Sequence, residues 1–420
     1  MKYHTFVLLC AMAASVVRAE SDSSQGTGNG YFSVTRMITM NQAVQASLSS
    51  NFGLKSDSLE IAIHSGNLQQ AKLPENPEIV LESENTRYTD SEPGKSTHFS
   101  IDIEQSFNPI ARWKRSDVVK SEFKVARTNY QLQKQELIAE VKKRFVTALA
   151  QQEVNALSDS ILILLKKVHM SSVNQAIAGK VPFSDTLKTS AEFEIAKIQS
   201  DRVDQKQADA FQDLALMWGS SQIDFTCLKD EESSEFFLPD TSVLLTNLSN
   251  SPQMAIAHAE LNRKSAELAF EKADWIPSIR AGVGIGIGNE AEELSPRASL
   301  SFSIPLINWK QGATEAARHG VSQAEARRDA IRIRIYNDVL NTYRNAARLQ
   351  KEILKFKNTI LPQFKEILDA SSTAYISGKT GILSLIDAQR NYIEVSREIV
   401  EINHEYRHSL IDLERYRITN

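Results

Sequence analysis

Two hydrophobic periodicities alternate along this chain. From Thr39, the apolar positions Ala43, Leu48, Leu54, Leu59 and Ile63 predict a helix that ends at Leu73-Pro74, and Pro77 prevents its resumption. Between Thr97 and Phe107 the period falls to two. Phe99, Ile101, Ile103 and Phe107 alternate with His98, Ser100, Asp102, Glu104 and Ser106, with Gln105 the one exception on the apolar side. Ile79 to Glu84 predicts a weaker partner strand, with a loop around Pro93-Gly94. A helical pattern then opens near Ala111 and keeps Phe123, Ala126, Tyr130, Leu137, Val141, Phe145 and Leu149 on one face. No proline or glycine intervenes before Gly179, so this helix is predicted to run about 100 Å. A second helix returns from Phe183 to about Trp218, and residues 219–250 read as irregular.

The programme then repeats. At an offset of 200 positions, Leu48, Glu60, Leu68, Lys72, Pro77 and Ile79 meet Leu248, Glu260, Leu268, Lys272, Pro277 and Ile279. Two more alternating runs follow. Ile279, Ala281, Val283, Ile285 and Ile287 are interleaved with Arg280 and glycines, and Ala298, Leu300, Phe302 and Ile304 with Arg297 and serines. Pro305 closes its strand as Pro109 closes the earlier one, and Trp309 stands where Trp113 stood. A long helix interrupted at Pro362 leads to a second turn at Gly378, and a last helix runs to about Tyr416. The turns Ala178-Gly179-Lys180-Val181 and Ser377-Gly378-Lys379-Thr380 read as the tips of two helical hairpins. The organisation predicted is 1–19 a signal peptide, 20–38 a flexible leader, 39–220 a first repeat, 221–247 a linker and 248–420 a second repeat. Strands are predicted at about 79–88, 97–107, 278–288 and 297–304, and tips at about 178–188 and 377–388.

Ten-residue strands with one apolar and one polar face have the length and dyad pattern of strands that cross a membrane, although an ordinary half-buried sheet has the same period. Glu82, Glu84, Asp102, Glu104, Arg280 and Arg297 would share the polar side and suit a wet lumen. Four strands cannot close a barrel in lipid, where open edges are forbidden. A membrane version must therefore share one barrel among copies.

Composition narrows the field. With 48 Lys and Arg against 52 Asp and Glu there is no basic excess to favour nucleic acid. Lys2, the apolar stretch Phe6 to Val17 and the small-residue end at Ala19 predict a secretory signal. Cys10 lies inside that stretch after Leu9, a poor context for lipid attachment, and its removal leaves Cys227 alone, without a disulfide partner. No cofactor is called for.

His404-Glu405-Tyr406-Arg407-His408 matches the H-E-x-x-H spacing of zinc peptidases. Only twelve residues follow it and Arg407 is an awkward neighbour for a cation, so the motif reads better as two exposed histidines on a polar helix face. The glycines 282, 284, 286 and 288 lack the spacing of a dinucleotide loop; on one strand face they let the sheet bend or a neighbour approach.

Over nearly the whole mature chain the sequence resembles the TolC family of outer-membrane efflux channels. The resemblance rests on the duplication, the paired strands, Leu73-Pro74-Glu75-Asn76-Pro77-Glu78-Ile79, Ile304-Pro305 and the two tip phrases. The run Asn76 to Asn85 is most similar to the CzcC/CusC-type branch that exports heavy-metal cations. This implies a mainly α protein with a membrane β-barrel: a homotrimer whose twelve strands form one barrel on a long α-helical periplasmic tunnel. It also implies a passive exit duct for metal cations or small toxic compounds rather than an enzyme, working with a periplasmic adaptor and an inner-membrane pump of the resistance-nodulation-division or ABC type. Matching the family's tunnel tips are Gly179, Val181, Asp185, Gly378, Ser384 and Asp387, with Ser384 standing where an additional acid is common. Alternatives are an exit channel for protein or peptide secretion, the zinc peptidase with His404, Glu405 and His408, and a secreted coiled-coil protein without a barrel.

Overall fold

The computed structural model describes residues 36–85, 97–230, 238–246, 248–288 and 294–416. The predicted signal, Cys10, nearly all of the leader, the Pro93-Gly94 loop and part of the 219–250 stretch lie outside these residues.

In order, the described chain forms β1 (Met37–Thr39), α1 (Met40–Ser50), α2 (Phe52–Lys72), β2 (Glu78–Asn85), β3 (Thr97–Phe107), α3 (Pro109–Ile177) and α4 (Phe183–Leu216). It continues with β4 (Cys227–Lys229), α5 (Thr241–Thr246), α6 (Pro252–Glu271), β5 (Ile279–Gly288) and β6 (Leu294–Phe302). The last elements are α7 (Gln311–Lys355), α8 (Leu361–Ile376) and α9 (Ile382–Glu414). The helix α3 has 69 residues, about 100 Å of unbroken helix.

Two expectations are corrected and a third is given its geometry. The helix from Thr39 is two helices, because Asn51 turns out of the first and caps the second. Its Oδ1 accepts from the Leu54 N–H at 3.0 Å, and its Nδ2 donates to the Met217 carbonyl at 2.9 Å. The end of the leader and part of the 219–250 stretch are not irregular: Met37–Thr39 and Cys227–Lys229 pair as a parallel ribbon. That ribbon is held because Ile38, Phe225 and Leu228 are buried among Val141, Phe145 and Leu214. The interruption expected at Pro362 is a widened turn rather than a break in direction between Gln311–Lys355 and Leu361–Ile376. The preceding turn, Phe356–Ile360, widens to π geometry, and the Leu361 N–H reaches the Phe356 carbonyl, which carries the helix past a residue that has no N–H to give.

Each repeat has its own core. In the first, Ala43 and Val44 of α1 pack on Val141, Phe145, Ala148 and Leu149 of α3 and on Phe211 and Leu214 of α4. In the second, Leu248 and Met254 pack with Ile335, Val339 and Leu349 of α7 and Ile402, Tyr406 and Leu413 of α9. Further along α3, Val168 joins Leu368, Tyr375, Ile382, Leu385 and Ile386, so α3 packs against both sides of the second turn. Each hairpin tip is therefore held by its neighbour as well as by its own turn.

Candidate functional site: an inside-out sheet and two helical tips

The four long strands form one antiparallel sheet in the order β2-β3-β5-β6. Its register aligns Val80, Asp102, Gly284 and Arg297 in one row and Glu82, Ser100, Gly286 and Ser295 in the next. Glu82, Asp102, Glu104, Arg280 and Arg297 thus lie on one face. Glu84 occupies the same face by register, opposite His98, and its side chain lies outside the described residues.

Burial on this sheet is reversed. On the charged face Asp102 is only 5% exposed and Ser100 is buried, while Ile79, Leu81, Ile103, Val283 and Leu300 on the other face are exposed. Ser100 Oγ donates to Asp102 Oδ2 at 3.0 Å, and Arg297 stands 4.0 Å from the same carboxylate. Arg280 lies 3.7 Å from Glu104. A Cβ at Gly284 would fall 2.2 Å from Asp102 Oδ1 and 2.3 Å from the Ile101 carbonyl, so glycine here is the condition for the acid of β3 to fold over β5. Gln105, the polar residue on the apolar side, is satisfied by the carbonyls of Glu75 and Ser106.

The fourth strand starts at Leu294, three residues before the alternation from Arg297 suggested. Pro296 is accommodated because β6 is a sheet edge and the missing N–H breaks no inner ladder. At the helical end of the sheet, Phe107, Ile279 and Phe302 align across three strands, all exposed. Trp113, 72% exposed, and exposed Trp275 and Trp309 follow or precede those strands closely in the chain.

Both tips are Schellman turns. The Gly179 and Lys180 N–H groups donate to the carbonyls of Ala176 and Gln175, and those of Gly378 and Lys379 to Tyr375 and Ala374. Gly179 and Gly378 have φ of 68° and 71°, a conformation that costs other residues. Val181 is half-buried. Asp185 lies in the first turn of α4, 3.7 Å from Lys188, with its side chain only 14% exposed. Ser384 and Asp387 are exposed on α9. Ion pairing of Arg390 with Glu192 ties the two hairpins together just behind the tips. Sequence reasoning missed the apolar residues flanking the turns. Ile177 is 81% exposed, and Phe183, Leu187, Ile376 and Leu383 are exposed too. Their signal was large apolar side chains next to a glycine turn, where a solvated loop carries polar ones.

The H-E-x-x-H histidines are not exposed on a polar face. His404 and His408 are half-buried against α3, and their Nε2 atoms lie 3.0 and 3.2 Å from Thr147 Oγ1. Arg407 points elsewhere and pairs with Asp230 at 2.5 Å. Among the described residues no group of three His, Cys, Asp or Glu side chains is assembled to hold a metal.

The sheet, with its charged face covered and its apolar face bare, is joined to long helical hairpins. Residues 244–416 match the outer membrane efflux protein family. The cobalt-zinc-cadmium resistance protein CzcC of Cupriavidus metallidurans is 23% identical over 357 residues, which cover 85% of this chain and 84% of that protein. The nickel-cobalt-cadmium resistance protein NccC of Alcaligenes xylosoxydans xylosoxydans is 31% identical over 88 residues, 21% of this chain and 20% of that protein. Among solved structures, the CusC channel superposes with a TM-score of 0.78 at 15% identity, covering 94% of this chain and 95% of that one. The Neisseria gonorrhoeae MtrE channel gives 0.71 at 17% identity, covering 90% and 88%. This chain carries an outer membrane efflux protein domain, is a homologue of CzcC, and has the fold of TolC-family channels. Its relatives are channels and not enzymes, which removes the peptidase reading.

Proposed function

We propose that three copies of this chain close a twelve-stranded barrel in the bacterial outer membrane and serve as the exit duct of a tripartite efflux system for metal cations. The observation that carries this reading is the sheet itself: a bare apolar face beside two edge strands, β2 and β6, that have no further neighbour among the described residues. In lipid such edges must be paired, and four strands per copy reach twelve in a trimer. The charged face, with Glu82, Glu84, Asp102, Glu104, Arg280 and Arg297, then lines the lumen.

The helical hairpins form the periplasmic tunnel. At its far end, the exposed Ile177, Phe183, Leu187, Ile376 and Leu383 suit docking of a periplasmic adaptor, and the exposed carboxylate of Asp387 repeats around the rim to attract cations. An inner-membrane pump of the resistance-nodulation-division or ABC type supplies the energy. Metal cargo is supported by the names of CzcC and NccC, both metal resistance proteins.

Two measurements test the reading. The protein should leave outer membranes only in detergent, as a heat-sensitive trimer; a water-soluble monomer overturns it. Deleting the gene should sensitise cells to cobalt, zinc, cadmium or nickel. Loss of polypeptide secretion alone would assign the duct to a secretion system.

A further inference from the structure

We propose that His404 and His408 form a two-imidazole binding site for a borderline divalent cation such as Zn2+, Ni2+ or Cu2+. The inference does not depend on what the channel carries.

Residues four apart on a helix share a face, and here the two rings lie with centroids 4.2 Å apart. Both Nε2 atoms converge on a single oxygen, Thr147 Oγ1. That hydroxyl donates its own proton to the Lys143 carbonyl at 3.0 Å, so it accepts from the rings. A cation entering at this point takes the place of the hydroxyl. Each ring then moves its proton from Nε2 to Nδ1 and presents the lone pair, with no net proton released. Two imidazole nitrogens suit Zn2+, Ni2+ and Cu2+ and not Mg2+.

The surrounding charges permit this. Glu401 is exposed one turn before His404 on the same face, and Glu401 and Glu405 both act electrostatically on that ring. On the far side Lys143 opposes a cation at His408, but its ammonium is held by Asp412 at 2.6 Å. Arg407, which lies between the histidines in sequence, is committed to Asp230.

The test uses the purified full chain in detergent, titrated calorimetrically with Zn2+ and Ni2+, with Mg2+ as control. One Zn2+ or Ni2+ should bind per chain, and Mg2+ should not. His404→Ala and His408→Ala should each weaken binding by at least the ~10–100-fold seen when a metal's outer-shell partner is lost. Thr147→Ala, which clears the occupied point, should leave binding intact or tighten it. Cu2+ on the unmodified chain should show hyperfine coupling to two imidazole nitrogens, a readout that needs no variant to fold. Equal binding by the chain and a folded double-histidine variant, or a Cu2+ spectrum without imidazole nitrogen, overturns the site. Neither result bears on trimer formation or on metal sensitivity of the deletion strain.

Discussion

Arg297 on one edge strand of the sheet reaches Glu82 on the other, Nη2 to Oε2 at 3.2 Å, over the two strands between them. Flat strands about 4.8 Å apart would separate those edges by about 14 Å. The pair closes because both side chains are long enough to meet over the inner strands and because β5 places glycines beneath them.

Gly284 is the position where that arrangement is least forgiving. Alanine would place a methyl 2.3 Å from a backbone carbonyl, which cannot swing aside as a side chain can. Gly284→Ala is predicted to prevent recovery of the detergent-extracted, heat-sensitive oligomer. Gly312→Ala in α7, where nothing lies within 4 Å, should leave the yield unchanged. Equal yields from the two variants would show that the sheet tolerates a Cβ beneath Asp102.

Removing Arg297 tests the charged face electrically. Its pair with Glu82 is half-exposed and stabilises the fold by about 0–1 kcal/mol at most. The stability of Arg297→Ala should therefore change little. Its effect should appear in planar bilayers, as a reversal potential shifted toward stronger cation preference once Asp102 and Glu82 lose their counter-charge. No shift would place Arg297 off the conducting path.

Much of this arrangement was legible in the chain because it is periodic. The alternation of Phe99, Ile101 and Ile103 with Ser100, Asp102 and Glu104 assigns faces by arithmetic alone, and the glycine after each amphipathic run locates a turn. What escaped depended on contacts distant in sequence. Asn51 breaks a helix while holding Met217, and the Met37–Thr39 strand exists only because Cys227–Lys229 lies beside it. The burial of His404 and His408 likewise comes from Thr147, some 260 residues away, and no local pattern reports it. Local periodicity carries face and turn; long-range partners decide breaks and burial.

The two acids near the tips should differ in weight. Asp185 is tucked into the first turn of α4 beside Lys188, where the helix dipole and the ammonium already offset its charge. Asp387 is exposed. In bilayer recordings Asp387→Asn is predicted to reduce cation preference more than Asp185→Asn. The reverse order would mean that the tips rearrange on assembly and free Asp185.

The His404–His408 pair also predicts how stability responds to acid. Burial, the neighbouring His404 and Lys143 lower the pKa of His408 to about 4, against 6.5 for a free histidine. Between those values the unfolded chain takes up a proton that the folded chain refuses, so this residue's contribution falls as pH drops from about 6.5 to about 4 and levels off below. Glu153 works in the opposite sense. Burial raises its pKa above 4.5 despite Arg407, so the folded chain accepts a proton before the unfolded one does, and its contribution grows as pH falls through that range. The two oppose each other in the whole protein, and substitution separates them. His408→Gln should remove the acid-sensitive part, leaving a melting temperature that falls less, or even rises, between pH 6.5 and 4. A variant whose melting temperature declines in parallel with the unmodified chain would show that His408 is solvated and protonates freely in the fold.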